Sequence, residues 1–208
     1  LTAYQDAGYA RRYGERIAAL RQAEERARPG STAVTEAAAR NLFKLMAIKD
    51  EYEVARLYTD GTFLKQLREQ FQDYDRLEFH LAPPILGRRG ADGKPRKSSF
   101  GPWMMKGFRV LAALRGLRGS ALDIFGYSAE RRMERELLAQ YEGDLELIAG
   151  TLGADAIDAA AALASVPALV RGYGHVKQAN ADKAAAERSR LLDRFKRAGQ
   201  PPMLHAAE

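Results

Sequence analysis

Residues Asn41 to Gly61, NLFKLMAIKDEYEVARLYTDG, decide how the rest of the chain is read. At helical spacing they carry two apolar stripes. Phe43, Met46, Ala47, Val54, Leu57 and Tyr58 form one, and Leu42, Leu45 and Tyr52, with Ala38 just upstream, form the other. A surface helix needs a single stripe, because only one side of it meets a core. Two stripes require neighbours on two sides, so a helix over about residues 35–58 is expected at the centre of a mainly α bundle. Its charges fall on or beside those same faces. Lys49 and Glu53 are four apart and Glu53 and Arg56 three apart, so with Asp50 they read as an ion-pair ladder that fixes packing.

The 208 residues suit one compact domain, or at most two small ones, and are enough to bury roughly 70% of the unfolded surface. A hydrophobic fraction of 46% beside 29% charged residues places the chain among ordinary globular proteins, away from disordered or fibrous classes. It has no cysteine, which removes disulfides, thiolate zinc sites, iron–sulfur ligation and cysteine nucleophiles together. That usage fits the cytoplasm. No run approaches the roughly 18 apolar residues of a membrane span, and no leader-like segment opens the chain. Leu1 opens it in mid-pattern, and the expectation is a segment of a longer multidomain polypeptide.

Upstream, Tyr9, Tyr13, Ile17 and Leu20 recur at i, i+4, i+8 and i+11, which predicts an amphipathic helix packed on the central one and stopped by Pro29-Gly30. Ser31 and Thr32 are placed to cap the next helix, with Glu36 near its positive end. Asp60-Gly61 then interrupt the pattern, and Thr62 to Phe71 predicts a shorter helix in a new direction. Leu77, Phe79 and Leu81 alternate with Arg76, Glu78 and His80, the period of a half-buried strand. With a return strand near Lys97 to Phe100 and a turn signal at Asp92-Gly93, one small β-hairpin is expected over about residues 76–100. Its arm, residues 83–100, should project from the body.

Pro102 suits a first helical turn, and Trp103, Val110, Leu114 and Leu117 read as the buried stripe of the helix that follows. The apolar link SALDIFGY, residues 120–127, reads as tied down by Ile124, Phe125 and Tyr127. Ser128 is expected to cap a helix with the stripe Leu138, Tyr141, Leu145 and Ile148. Alanines between Asp158 and Ala164 favour a helix that neighbours can approach closely. A last, mostly polar helix from about His175 to Ala198 has a foothold in Leu191, Leu192 and Phe195. The organisation expected is a single helical domain over residues 1–200, with residues 201–208 as a tail.

Catalysis needs particular groups at particular spacings, and the familiar sets do not occur. His80, His175 and His205 are far apart and form no HExxH or HxH arrangement. There is no GxGxxG or P-loop, and Ser98, Ser99 and Ser128 lack the glycine frame of a nucleophile elbow. Glu51 and Glu53 lie on different helix faces, a poor arrangement for an acid/base pair. No residue is therefore assigned as catalytic, cofactor-binding or metal-ligating.

The formal charge of +6 is regional. Between Pro84 and Arg132 there are eleven basic residues against three acidic ones, so the rest of the chain is slightly acidic. Arg88, Arg89, Arg96 and Lys97 on the hairpin arm are the candidates for docking an anionic partner. An acidic protein or the phosphates of a large cofactor would both fit. A stand-alone basic module for nucleic acid is the alternative, although no helix-turn-helix, RRM or zinc-finger pattern accompanies these cations.

Four longer runs carry a resemblance: LFKLMAIKDEYEVARLYTDGTFLKQL, FHLAPPILGRR, FGPWMMKGFRVLAALRGLRGSALDIFGYSAERRMERELLAQYE and RGYGHVKQAN. In this order they are similar to the C-terminal helical region of the long, fused bacterial indolepyruvate ferredoxin oxidoreductases, in the 2-oxoacid:ferredoxin oxidoreductase superfamily. The resemblance spans nearly the whole chain. It implies a parent enzyme that oxidatively decarboxylates an aryl pyruvate to the acyl-CoA, using thiamine diphosphate, an iron–sulfur cluster, coenzyme A and ferredoxin. The family's diphosphate pattern, a GDG followed by an asparagine, and its cluster cysteines do not occur here, so no catalytic residue carries over and this segment holds no cofactor. The implied role is an accessory docking or assembly domain whose partners are the other modules of the parent enzyme, with ferredoxin a further candidate.

Overall fold

In the computed structural model, which describes residues 1–81 and 98–199, helix α1 (Ala7–Ala27) begins at Asp6, whose carboxylate accepts the Tyr9 N–H at 2.7 Å. The chain is mainly α-helical, with one two-stranded hairpin among the described residues. It divides into two compact units, Leu1–Ala47 with Ala129–Glu208, and Ile48–Ser128.

The first unit is organised around α2 (Ala33–Met46), which packs against α1, α6 (Ala129–Thr151) and α7 (Ile157–Ser165). Val34, Ala38, Leu42 and Met46 are fully buried on it, at the i, i+4, i+8, i+12 spacing of one face. Leu145 and Ile148 of α6 and Leu163 of α7 meet them in the same core. Each of these side chains larger than alanine contributes roughly 1.5–3 kcal/mol by leaving water. Ala159, Ala160 and Ala164 bring α7 close enough to α2 for polar contacts between them. Asn41 donates to the Ala164 carbonyl at 3.1 Å, and the buried Tyr141 hydroxyl donates to the same oxygen at 2.7 Å. The α1 tyrosines fasten that helix to α2, Tyr9 through the Met46 carbonyl and Tyr13 through that of Ala39. Helix α8 (Gly174–Ala198) closes the unit with Leu191 and Phe195.

The start of α2 is held differently from the expectation. Thr32 occupies the cap position, but its side chain makes no capping bond. Glu24, buried on α1, reaches across instead and accepts the Val34 and Thr35 N–H groups at 3.0 and 2.8 Å, together with the Ser31 and Thr35 hydroxyls. A carboxylate at a helix N-terminus satisfies free N–H groups and meets the positive end of the dipole. Burial by itself would raise the Glu24 pKa, yet the hydrogen bonds from Ser31, Thr35 and Val34 hold it below the ordinary range.

The single helix expected over residues 35–58 is two helices. Helix α2 ends at Met46, and α3 (Glu51–Thr59) starts afresh at Asp50, whose carboxylate accepts the Glu53 N–H at 2.8 Å. Asp50 therefore acts as a cap, satisfying a free donor of a new helix, where the continuous reading had it as one more rung. The unit boundary falls at this break, between Ala47 and Ile48. Breaking the helix resets its phase and splits the first stripe: Phe43 is 51% exposed and Leu57 38%, while Met46 and Tyr58 enter two separate cores. Tyr52 and Ala55 are buried instead.

In the second unit, α4 (Thr62–Gln70) is entered through Gly61, whose φ of 92° lies in the left-handed region that favours glycine. Strands β1 (Phe79–Leu81) and β2 (Ser98–Phe100) pair antiparallel, Phe79 opposite Phe100 and Leu81 opposite Ser98. Phe79 faces the core and His80 faces out, as the alternation predicts. Helix α5 (Met104–Ala113) completes a core of aromatic rings. Tyr58 stacks on Phe108 with centroids 5.0 Å apart, and Phe79 meets both rings edge-on.

Two further expectations are corrected here. The stripe of Trp103, Val110 and Leu114 faces outward, at 62%, 62% and 44% exposure, while Phe108 and Ala112 on the opposite side of α5 are buried. The aromatic cluster of α3, α4 and β1 lies on that opposite side, and it decides which face is covered. The link at residues 120–127 leaves Ile124 and Tyr127 exposed, although the Tyr127 hydroxyl still ties the link by donating to the Ala121 carbonyl at 2.7 Å. It is held by Phe125, edge-on to Tyr52 at 5.4 Å, and by the buried carboxylate of Asp123.

Candidate functional site

Arg88, Arg89, Arg96 and Lys97, the docking candidates on the hairpin arm, lie outside the described residues. The expected ion-pair ladder survives at one end. Arg56 clamps Glu53 through Nε and a terminal nitrogen, both at 2.8 Å, and reaches Asp60 at 3.3 Å. The Glu53 bond, ahead of the opposing effect of burial, raises the Arg56 pKa. Lys49 stands in the interhelical segment, exposed and off the helix, and takes no part. Asp50 turns away from the ladder altogether.

Its partner is Arg118, just beyond the 3-10 turn Leu114–Leu117. The guanidinium holds both Asp50 oxygens, Nε on Oδ2 and a terminal nitrogen on Oδ1 at 2.9 Å. Both side chains are nearly buried, and the guanidinium also lies over the Tyr52 ring, 5.5 Å from its centre. The Tyr52 hydroxyl in turn donates to Asp123 at 3.2 Å. Burial, and the negative charge of Asp123 after it, push the Tyr52 pKa up to about 12. Asp123 also accepts the Gly119 and Gly126 N–H groups at 2.8 and 3.1 Å, closing the loop on itself. A Cβ at position 126 would stand 2.7 Å from an Asp123 oxygen, so any larger residue there must displace that carboxylate. The Asp50-x-x-Glu53 spacing resembles a capping box and was a legible signal for the break. Nothing local pointed to Arg118.

The first unit uses its buried charge in the same manner. Arg188 of α8 grips Asp144 of α6 through two bonds of 2.7 and 2.6 Å, and this pairing raises the Arg188 pKa. Glu134 is held between Arg131 and Lys177, and Glu142 by Arg12. Lys44 donates to the Pro167 and Val170 carbonyls at 2.7 and 2.8 Å, which satisfies the end of the 3-10 turn Val166–Leu169. Burial, helped by the nearby Arg171 and Lys177, lowers its pKa. Among the described residues each of the six buried carboxylates has a cationic or hydrogen-bonding partner of this structural kind, and Glu142 keeps one buried oxygen, Oε1, that accepts no hydrogen bond. These residues bring together no group of three or more His, Asp or Glu that could hold a metal. None of their helices is long and apolar enough to cross a membrane.

The arrangement defines a helical scaffold in which ionised groups lock one element to the next, with several large apolar side chains left outside. The chain belongs to a family of unknown function, DUF6537, whose pattern matches residues 1–190. No curated protein and no solved structure matches it.

Proposed function

We propose that this chain is an accessory docking or assembly domain of a cytoplasmic indolepyruvate ferredoxin oxidoreductase, a 2-oxoacid:ferredoxin oxidoreductase, and does no chemistry by itself. Two things support the reading. One is the resemblance carried by the four quoted runs, which lie between Leu42 and Asn180. The other, on which the structural side rests, is the engagement of Glu24, Asp50, Asp123, Glu134, Glu142 and Asp144, whose carboxylates cap helices, bind arginines and lysines or, for Asp123, close a turn. A general acid or base needs a carboxyl free to exchange a proton with substrate. These six are fixed in place as architecture.

In this reading thiamine diphosphate, coenzyme A and the iron–sulfur cluster belong to other modules of the parent enzyme, with which this domain makes its contacts. The test is deletion of residues 1–190 from a parent enzyme that carries them. The expected result is a protein that still binds thiamine diphosphate but assembles poorly and reduces ferredoxin slowly. Unchanged assembly and turnover would refute the proposal, as would turnover of indolepyruvate by the isolated chain.

A further inference from the structure

We propose that the outward face of α5 is a docking surface for an acidic protein segment, one that offers apolar side chains within a rim of carboxylates. The inference rests on the accessory-domain reading and gives that domain a specific contact. It starts from a helix whose two faces are both apolar while only one is covered. Phe108 and Ala112 complete the core of the second unit. On the other side Trp103, Val110 and Leu114 follow at i, i+7 and i+11, one helical stripe, and all three are exposed. Gly107 lies in that stripe at i+4. Among the described residues a Cβ placed there would find only the Met104 sulfur within 4 Å, at 3.4 Å, so the surface between Trp103 and Val110 is a shallow notch for an incoming side chain.

Trp103 is positioned without being covered. Its ring meets Phe100 edge-on at 6.0 Å and stands 3.5 Å from where a Cβ of Gly101 would be. A large aromatic ring held in place at an open surface is the commonest kind of binding anchor, because little side-chain freedom is lost when a partner arrives.

The charges beside the stripe select the partner. From Ser98 to Leu122 the chain has four basic residues and no acidic one. Arg118 is consumed by Asp50, which leaves Lys106, Arg109 and Arg115 with no ion pair among the described residues. Lys106 and Arg109 are exposed along one flank of the stripe. A second copy of this chain would bring the same cations face to face, which like-charge repulsion opposes. A single-stranded nucleic acid would want successive aromatic platforms, whereas Val110 and Leu114 offer no face on which a base can stack. Carboxylates around an apolar centre answer both features at once.

The chain contains one tryptophan, so its fluorescence reports directly from this stripe. The 208-residue chain is titrated with a roughly 20-residue amphipathic helical peptide whose leucine stripe is flanked by glutamates. Controls are the same peptide with lysines for glutamates, a scrambled peptide of the acidic composition, and oligo(dT). The expected result is a saturable blue shift with the acidic amphipathic peptide alone, weakening several-fold between about 50 and about 300 mM salt. K106E/R109E and, separately, Val110→Ser should each weaken it about tenfold. All three positions are exposed, and circular dichroism checks that the variants remain folded.

Silence with the acidic peptide, or an equal shift with the lysine peptide, overturns the proposal. A response to oligo(dT) alone, or a shift that follows the concentration of the chain by itself, overturns it in favour of nucleic acid or self-association. Silence here combined with an assembly defect on deletion removes this surface and leaves the accessory domain standing. A shift here combined with a harmless deletion does the reverse.

Discussion

Arg118 and Asp50, 68 residues apart in the sequence, meet as a bidentate, nearly buried ion pair that also anchors the start of α3. Removing one member of such a pair leaves an uncompensated charge, which costs about 3–5 kcal/mol. Arg118→Met is expected to lower the free energy of unfolding measured in urea by that amount. Asp50→Asn should do nearly the same, and the double variant should be clearly less damaging than the sum. Additive losses in a double-mutant cycle would show that the two residues do not act together.

Glu24 links stability to acid pH. Its carboxyl is held below its ordinary pKa of 4.5 by the hydrogen bonds it accepts at the start of α2. A depressed folded pKa means that the contribution is present above the unfolded value and is lost as pH falls through the folded one. Thermal unfolding should therefore show a drop in Tm below about pH 4.5 that Glu24→Gln flattens. At neutral pH that variant should be destabilised by about 2 kcal/mol, since the backbone donors lose a charged acceptor. An unchanged acid limb would contradict the capping role.

Alkaline pH acts through Tyr52. Its pKa rises from 10.0 to about 12 in the folded chain, so the unfolded chain ionises first. The corresponding stability is complete below pH 10 and is lost as pH climbs through about 12. Ultraviolet titration should show a late tyrosine near pH 12 that Tyr52→Phe removes. A variant with the full late amplitude would assign it elsewhere, for example to Tyr141, which burial also raises.

Gly126→Ala tests the Asp123 turn. The added methyl would overlap the Asp123 carboxylate at 2.7 Å, so either the Gly119 and Tyr52 bonds or the turn itself must give way. A loss of about 2–3 kcal/mol is expected, with faster amide exchange at Gly119 and Gly126. Gly116→Ala, with open space around it, is the control and should be near neutral.

On the hairpin arm, reversing the charge of Arg88, Arg89, Arg96 and Lys97 in the parent enzyme should raise the KM for ferredoxin or coenzyme A at low salt, with the effect fading as salt screens it. Unchanged KM values for both would remove the arm from docking.

Much of the fold was legible because local rules govern it. Helix-period apolar residues and Pro-Gly stops marked α1, α6 and α8, and period-two alternation put Phe79 inward and His80 outward. The candidate site was far less legible. The ladder kept Glu53 with Arg56 because they are three residues apart on one helix, but Asp50 went to a partner that spacing could not disclose.

The sequence by itself determined that this chain is mainly helical, where most of its helices begin and end, and that its basic charge is regional. The tertiary structure alone decided that the expected central helix breaks at Asp50, that Glu24 caps α2, and that the Trp103 stripe faces solvent. The reason is physical. Periodicity fixes which residues share a face, and it depends only on neighbours along the chain. Which face is covered, and which charge answers another, depends on elements that arrive from tens of residues away.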